Sequence, residues 1–310
     1  MNKLELIQLH ALSLEQSLTL KKKDIVQFLC SFSYENVNTF SELKELLNTQ
    51  GYGSYYPDEK AWNGAQQTLE KNAELDIHTI LISSSSYPKS LKAIDDPPPI
   101  IHLRGNLECL NRIPGVAVVG SRKVTKNGEL IARRISAFLA ENGWCIVSGL
   151  AIGVDTAAHQ GALSISGSGN TIAVLAHGLE HARPQRNIDL AMEIIDRGGL
   201  WISEHRVGTP AKPEHFVPRN RIQLGLSSGS VIIEAEKQSG TITQAKFCLK
   251  QKRPLFAVVP HKDSNPLQLL SSGTEMLVNE MGAFPLKTKE DYFVLIERLM
   301  KQKELLSAIE

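Results

Sequence analysis

From Gly115 onward, short apolar runs alternate with longer segments of mixed polarity. The runs are Val116–Val119, Trp144–Val147, Thr171–Leu175, Leu200–Ser203, Ser230–Glu234 and Leu255–Val259. Their length and continuous apolarity read as buried strands. Between them lie helix-like segments at Gly128–Glu141, Ala157–Ser164, Gln185–Asp196, Asn220–Leu226 and Thr241–Gln251. Six strands with intervening helices predict an α/β fold built on a doubly wound parallel sheet. Ligands of such sheets bind beyond the carboxyl ends of the strands.

The flanks read differently. Residues 1–76 pattern as short helices with polar connections. Phe40–Leu47 is one of them, with Thr39 or Ser41 as N-cap. Asn48–Pro57 is loop-like. In residues 77–114, a strand-like Thr79–Ile82 and a serine run precede Asp95–Pro99 (DDPPP), which fits neither a regular helix nor a central strand. This stretch is expected to elaborate one edge of the sheet. Asp291–Ile309 reads as a single amphipathic helix. The expected division is a helical module at 1–76, a sheet domain at 77–284 and a C-terminal helix at 285–310.

Composition changes little in this picture. The 310 residues allow one domain of roughly 200 residues and a smaller one. No run of 18 apolar residues exists, and the leucines of the N-terminus are interrupted by Glu5 and Glu15. Neither a membrane span nor a secretory signal is expected. Cys30, Cys109, Cys145 and Cys248 are scattered and form no Cys-x-x-Cys pair. A reduced, cytoplasmic protein with no disulfide and no metal site follows as the expectation. Net charge is +1, but residues 1–86 carry 7 Lys/Arg against 11 Asp/Glu, and the remainder 27 against 22. A polyanion would have to be held by a local patch.

Four loops could form that patch. The stretch Ser148–Leu163 (SGLAIGVDTAAHQGAL) follows a strand and opens into a helix. The spacing Gly149-x-x-x-Gly153 permits a sharp turn with amides exposed at a helix N-terminus, a setting suited to a phosphate. A tight turn that binds nothing is the other reading of this segment. The first strand ends in Gly120-Ser121-Arg122-Lys123, a glycine, a hydroxyl and two cations. Amides and Ser Oγ can donate there, and Arg can grip two phosphate oxygens. A solvated turn explains GSRK equally well. His215–Arg221 (HFVPRNR) places Arg219, Asn220 and Arg221 near a helix start with Phe216 as a stacking face; an exposed basic helix start is its alternative. Ser239-Gly240-Thr241, after the fifth strand, is either a further anion loop or an ordinary N-cap.

Several chemistries fall away. There is no G-x-G-x-x-G after the first strand and no G-x-x-x-x-G-K-[ST]. His177 and His181 have no third metal ligand in view. His159 beside Asp155 could be a base and its orienter, but a helix-face histidine bonded inside the loop is the better reading. Asp155 is expected to cap the helix or tie the loop amides. No Ser/His/Asp set has the G-x-S-x-G context of a hydrolase.

In order, the chain carries YPKSLKAIDDPPPIIHLRGN, VAVVGSRK, SGLAIGVDTAAHQGAL, TIAVLAHGLE, GLWISEHRVGTP, HFVPRNRIQLGLS and SGTITQAK. From Tyr87 to Gly282 this series resembles the DNA-processing protein A (DprA/Smf) family. The resemblance implies an extended Rossmann-like domain that binds single-stranded DNA without sequence preference, is no enzyme and needs no cofactor. It further implies protection of incoming DNA during natural transformation, assistance in loading the RecA recombinase, and a homodimer formed through this domain. On this chain the DNA site would comprise Gly120, Ser121, Arg122 and Lys123; Ser148, Gly149 and Gly153; Phe216, Arg219, Asn220 and Arg221; and Ser239 and Gly240.

The chain departs from the family pattern at several points. Pro218 stands where the family commonly has another Arg, and Arg183 precedes Pro184 where an aromatic is frequent. Pro260-His261 replaces the usual Pro-Gly, and no C-terminal winged-helix module is expected. The competing function is a nucleotide-binding sensor or a nucleoside-monophosphate phosphoribohydrolase-like enzyme. For the latter, Ser239–Gln244 has the right shape, but Gln244 occupies the place of the catalytic carboxylate and cannot act as a base.

Overall fold

A computed structural model describes residues 2–17, 19–167 and 170–308. The chain opens with four helices, α1 (Lys3–Gln16), α2 (Lys22–Ser31), α3 (Phe40–Thr49) and α4 (Glu59–Glu74). Each of α1 and α3 starts in a capping box, the second built on Thr39, whose hydroxyl accepts from the Glu42 amide while Glu42 returns to the Thr39 amide. Strand β1 (Ile77–Leu81), the short α5 (Lys89–Lys92) and β2 (Ile100–Gly105) follow.

The alternating part then runs β3 (Gly115–Val119), α6 (Lys126–Glu141), β4 (Ile146–Ser148), α7 (Val154–Leu163), β5 (Thr171–Val174), α8 (Ile188–Asp196), β6 (Leu200–Ser203), α9 (Pro213–Gly225), β7 (Ser227–Ile232), α10 (Gly240–Lys250) and β8 (Leu255–Val258). All six apolar runs read as strands are strands. The chain ends with α11 (Ser272–Met281), β9 (Phe284–Leu286) and α12 (Tyr292–Ser307). The helix expected at Asp291–Ile309 is α12; Ile309 lies outside the described residues.

One sheet holds everything together, in the order β1-β2-β6-β5-β4-β3-β7-β8-β9. The pairs from β6 through β9 are parallel, whereas β2 pairs antiparallel with both β1 and β6. This is the edge elaboration expected of residues 77–114. The central strands β3 to β8 are buried along their whole length, as covering by helices on both faces requires.

Residues 1–76 do not stand apart from the sheet. Leu6, Leu12, Phe28 and Leu43 belong to one continuous core with Ile101, Val147, Ile172 and Ile202. Likewise Leu295 and Leu299 of α12 pack into the opposite core with Val118, Val231 and Phe256. Helix α9 starts seven residues earlier than the pattern suggests. Pro213 sits in its first turn, where a missing N–H costs nothing, and Pro218 lies inside the helix. That proline hid the helix from a sequence reading.

The connectivity creates the site. From β3 the chain moves outward through β4, β5 and β6, then α9 carries it back to place β7 on the other side of β3. The carboxyl ends of β3 and β7 therefore flank the point where winding reverses, and a crevice opens there.

Candidate nucleic-acid interface

Between these two strand ends lies a cavity of about 420 Å³. Its lining comes from Gly120–Lys123 after β3, Ala151 and Asp155 at the start of α7, Phe216, Val217, Arg219, Asn220 and Gln223 of α9, and Glu236, Ser239, Gly240, Thr241 and Gln244 before and within α10. Three loops of the sequence reading thus meet at one place, with the Ser148–Leu163 loop forming the wall behind them.

The loop after β3 carries the accessible charge. Arg122 and Lys123 are exposed, and neither forms an ion pair among the described residues. The Arg122 guanidinium lies 5.4 Å from the centre of the Phe216 ring, which tethers this loop to α9. Ser121 accepts from the Lys123 amide at 3.0 Å, and its own amide donates to Glu234. Behind it, the buried Glu234 carboxylate accepts from the Thr125 amide and hydroxyl at 2.9 and 2.7 Å and from the Leu270 amide at 3.0 Å. Glu234 thereby fixes the entry into α6 beside β7.

The second loop is packed rather than open. Leu150 (φ +59) and Gly153 (φ +88) take left-handed conformations. A side chain on Gly153 would meet the Ser121 carbonyl at 2.4 Å, so glycine lets the two loops touch. The Asp155 carboxylate accepts from the Gly149 and Ala151 amides at 3.1 and 3.4 Å. Burial pushes the Asp155 carboxyl up from its ordinary range, against the pull of Arg219 and of these amides. Asp155 thus ties the loop amides, one of the two roles expected of it, and the Gly149 amide is taken by the α7 carboxylate rather than left for a phosphate. The Ser148 hydroxyl is also engaged, donating to the Val118 carbonyl at 2.8 Å inside the sheet.

The two arginines of α9 separate completely. Arg219 is buried in the pocket wall, donating from Nη1 to the carbonyls of Gly149 (2.9 Å) and Val174. Burial lowers it to about 10, so it stays charged at neutral pH, facing Asp155. Arg221 points elsewhere. It grips both carboxylate oxygens of the buried Glu204 at 2.6 and 2.7 Å and reaches Asp96 at 2.9 Å. Glu204 also binds Lys22 of α2. Arg221 is thus not in the cavity lining, contrary to expectation, because Glu204 after β6 offers it a bidentate carboxylate. Arg183 is exposed and lies outside the cavity lining as well.

The lining also holds residues that the predicted site leaves out, among them Gln223, which the sequence did not mark, and Gln244, which it marked only as standing in place of a catalytic carboxylate. Gln223 and Gln244 are 1% and 2% exposed, and no hydrogen bond is made by either Gln223 amide atom or by Gln244 Nε2. Arg219 Nε and Ser239 Oγ are also buried without a partner. Nothing in the residue pattern predicts the burial of these glutamines, since a glutamine in a helix reads as surface. His159 is buried and bonds Thr171 Oγ1 at 2.7 Å, a packing role. His177 bonds the Gly178 carbonyl, and no metal-ligand cluster occurs among the described residues.

A larger groove of about 1160 Å³ runs between α1, α4 and the outer edge of β1. Its lining includes the carboxylates of Glu5 and Glu70 and no Lys or Arg among the described residues, so it is unsuited to a phosphate chain. The cavity at the winding reversal is the candidate site. Residues 78–297 match the family described as DNA recombination-mediator protein A.

The chain belongs to that family. It is 36% identical over 227 residues to DNA processing protein DprA of Bacillus subtilis, covering 73% of this chain and 74% of that one. Its structure is similar to that of DprA from Streptococcus pneumoniae, with TM-score 0.66 and 28% identity over 94% of this chain and 92% of that one. DNA processing protein A from Helicobacter pylori, described for its single-stranded DNA binding mode, gives TM-score 0.63 and 27% identity over 73% and 97% of the two chains. The family resemblance read from Tyr87–Gly282 is borne out. No helix among the described residues is long and apolar enough to cross a membrane.

Proposed function

We propose that this protein binds single-stranded DNA in the cavity between β3 and β7 and acts on DNA without catalysing a reaction. The observation that carries this reading is the cavity itself, with exposed, unpaired Arg122 and Lys123 at its mouth and unpartnered polar atoms within. Arg122 and Lys123 serve the phosphates, Phe216 gives an aromatic face, and Ser121, Asn220, Ser239 and Gly240 provide nearby polar groups. A flexible single strand can enter a cavity built from loops, whereas a stiff duplex cannot. Gln244, where a hydrolase of related shape needs a carboxylate, supports a binding rather than an enzymatic role.

The family supports the wider role: protection of incoming DNA in transformation, loading of RecA, a homodimer formed through residues 77–284 and a cytoplasmic location. Fluorescence anisotropy with a labelled oligothymidylate and a matched duplex tests the central claim. Single strand is expected to bind more tightly, and Arg122→Glu to weaken it at least tenfold. Equal affinity for both forms, or wild-type binding by Arg122→Glu, would refute it.

A further inference from the structure

Two buried carboxylates near the strand ends face cations, Asp155 with Arg219 and Glu204 with Arg221 and Lys22. Glu234 does not. It is 1% exposed and forms no ion pair among the described residues. Three donors replace the cation: Oε2 accepts from the Thr125 amide at 2.9 Å, and Oε1 from the Thr125 hydroxyl at 2.7 Å and the Leu270 amide at 3.0 Å. The carboxylate also lies against the first turn of α6, where the helix dipole favours negative charge; a Cβ on Gly128 would stand 2.5 Å from its carbon. The main chain of the same residue reaches the other end of the loop, since the Glu234 carbonyl accepts from the Ser121 amide at 2.8 Å. One residue therefore holds both ends of the Ser121–Thr125 loop, and Arg122 and Lys123 stand between the two ties. Glu234 itself is not among the cavity lining.

We infer that Glu234 is a positioning residue for DNA binding: its carboxylate sets the Arg122 loop at the cavity mouth without touching the strand. The inference rests on the single-stranded DNA reading and names the group that holds that site's exposed cations in place. A loop fixed at both ends presents its cations already placed, whereas a loose one must be ordered as the strand binds, at a cost in affinity. The charge of the carboxylate is what the role requires. All three of its partners can donate, and only a carboxylate accepts from all of them. A glutamine of the same shape cannot. With its NH2 in the place of Oε2 it meets the Thr125 amide, and in the place of Oε1 it meets the Leu270 amide. Either way one N–H faces another, and a tie of the loop or of the neighbouring Leu270 segment is lost.

The test is a double-mutant cycle of Glu234→Gln and Arg122→Met, read by anisotropy with a labelled oligothymidylate at fixed salt. Stoichiometric titration gives the active fraction of each variant, so partial unfolding does not pass for weak binding. Arg122→Met should weaken binding about tenfold, the scale of one charge-assisted contact, and Glu234→Gln about fivefold. If Glu234 acts through the Arg122 loop, the double variant should lose only about ten- to twentyfold, Lys123 being the other cation of that loop. Independent effects would multiply to about fiftyfold, as would a general weakening of the fold. That result overturns the inference, as does wild-type affinity in a folded Glu234→Gln. Where Glu234→Gln does not fold, Thr125→Val takes its place in the cycle, since it removes the hydroxyl that donates to Oε1. It should weaken binding about threefold alone and add little to Arg122→Met, and about thirtyfold for the pair overturns the inference in the same way. Failure of wild type to bind, or wild-type affinity in Arg122→Met, overturns the single-stranded DNA reading of the cavity, and the inference falls with it.

Discussion

Arg221 decides whether basic residues near a strand end are ligand contacts or structural ties, and Arg221→Met separates the two. The substitution keeps a long apolar stem but removes the guanidinium that holds both oxygens of Glu204 at 2.6 and 2.7 Å. Glu204 is then left buried with Lys22 as its remaining ion-pair partner. Burial pushes the Glu204 carboxyl up, but Arg221 and Lys22 more than reverse this and bring it from 4.5 to about 2. At about 1.4 kcal/mol per pH unit, that net preference for the charged form is worth about 3 kcal/mol. That preference belongs to Arg221 and Lys22 together; removing one partner of a buried ion pair costs about 3–5 kcal/mol in general, and the retained Lys22 places the loss at the lower end of that range. Such a loss is a large part of the roughly 5–15 kcal/mol that keeps a domain folded. Urea unfolding followed by tryptophan fluorescence should show a lower midpoint at unchanged slope, corresponding to about 3 kcal/mol. The folded variant should bind oligothymidylate as wild type does. An unchanged midpoint together with a loss of DNA affinity like that of Arg122→Glu would refute the structural role.

Three further outcomes follow from the geometry. With Arg122 and Lys123 as the free cations of the pocket, a plot of log affinity against log salt should have a slope of about −1.4, at about 0.7 per phosphate; a slope of −4 would mean that DNA runs far beyond this cavity. Gly149→Ala should cost about 3 kcal/mol in urea unfolding, because its Cβ would sit 2.1 Å from Arg219 Nη1 and displace that buried guanidinium, while Gly240→Ala, with open space around it, should be near neutral; equal effects would contradict the packing. Burial holds His10 and His102 at about 4 and His159 at about 3 in the folded protein. Below the unfolded value of 6.5 only the unfolded chain takes up these protons, so stability should fall on acidification, by about 1.4 kcal/mol per histidine between pH 7.5 and 5.5. Burial raises Glu15 to about 7, which acts with the opposite sign and returns about 2 kcal/mol. Burial also holds His205 at about 4, with the same sign, so the histidines outweigh Glu15 and a net loss of stability should appear in unfolding midpoints at the two pH values; a gain would contradict the assignment.

Local pattern was enough for the sheet. Runs such as Val116–Val119 are apolar throughout because both faces of a central parallel strand are covered, and that requirement is written residue by residue. The Thr39 cap and the Gly153 turn are equally local, since each depends on neighbours within a few positions. The motif series from Tyr87 onward also sufficed to find the family. What the sequence alone left open is which polar groups meet. Arg219 and Arg221 are two residues apart in one helix, yet one enters the cavity wall and the other binds Glu204, a partner supplied by a distant strand end. The sequence offered the Gly149 amide both to a phosphate and to Asp155, and the fold decides for Asp155. Gln223 and Gln244 enter one cavity lining only because α9 and α10 converge on the winding reversal, which leaves the Gln223 amide and Gln244 Nε2 buried without partners. Hydrophobic periodicity is a property of one segment, and so it is legible in the chain. Hydrogen-bond pairing and burial of single polar atoms arise between segments far apart in sequence, so only the folded structure decides them.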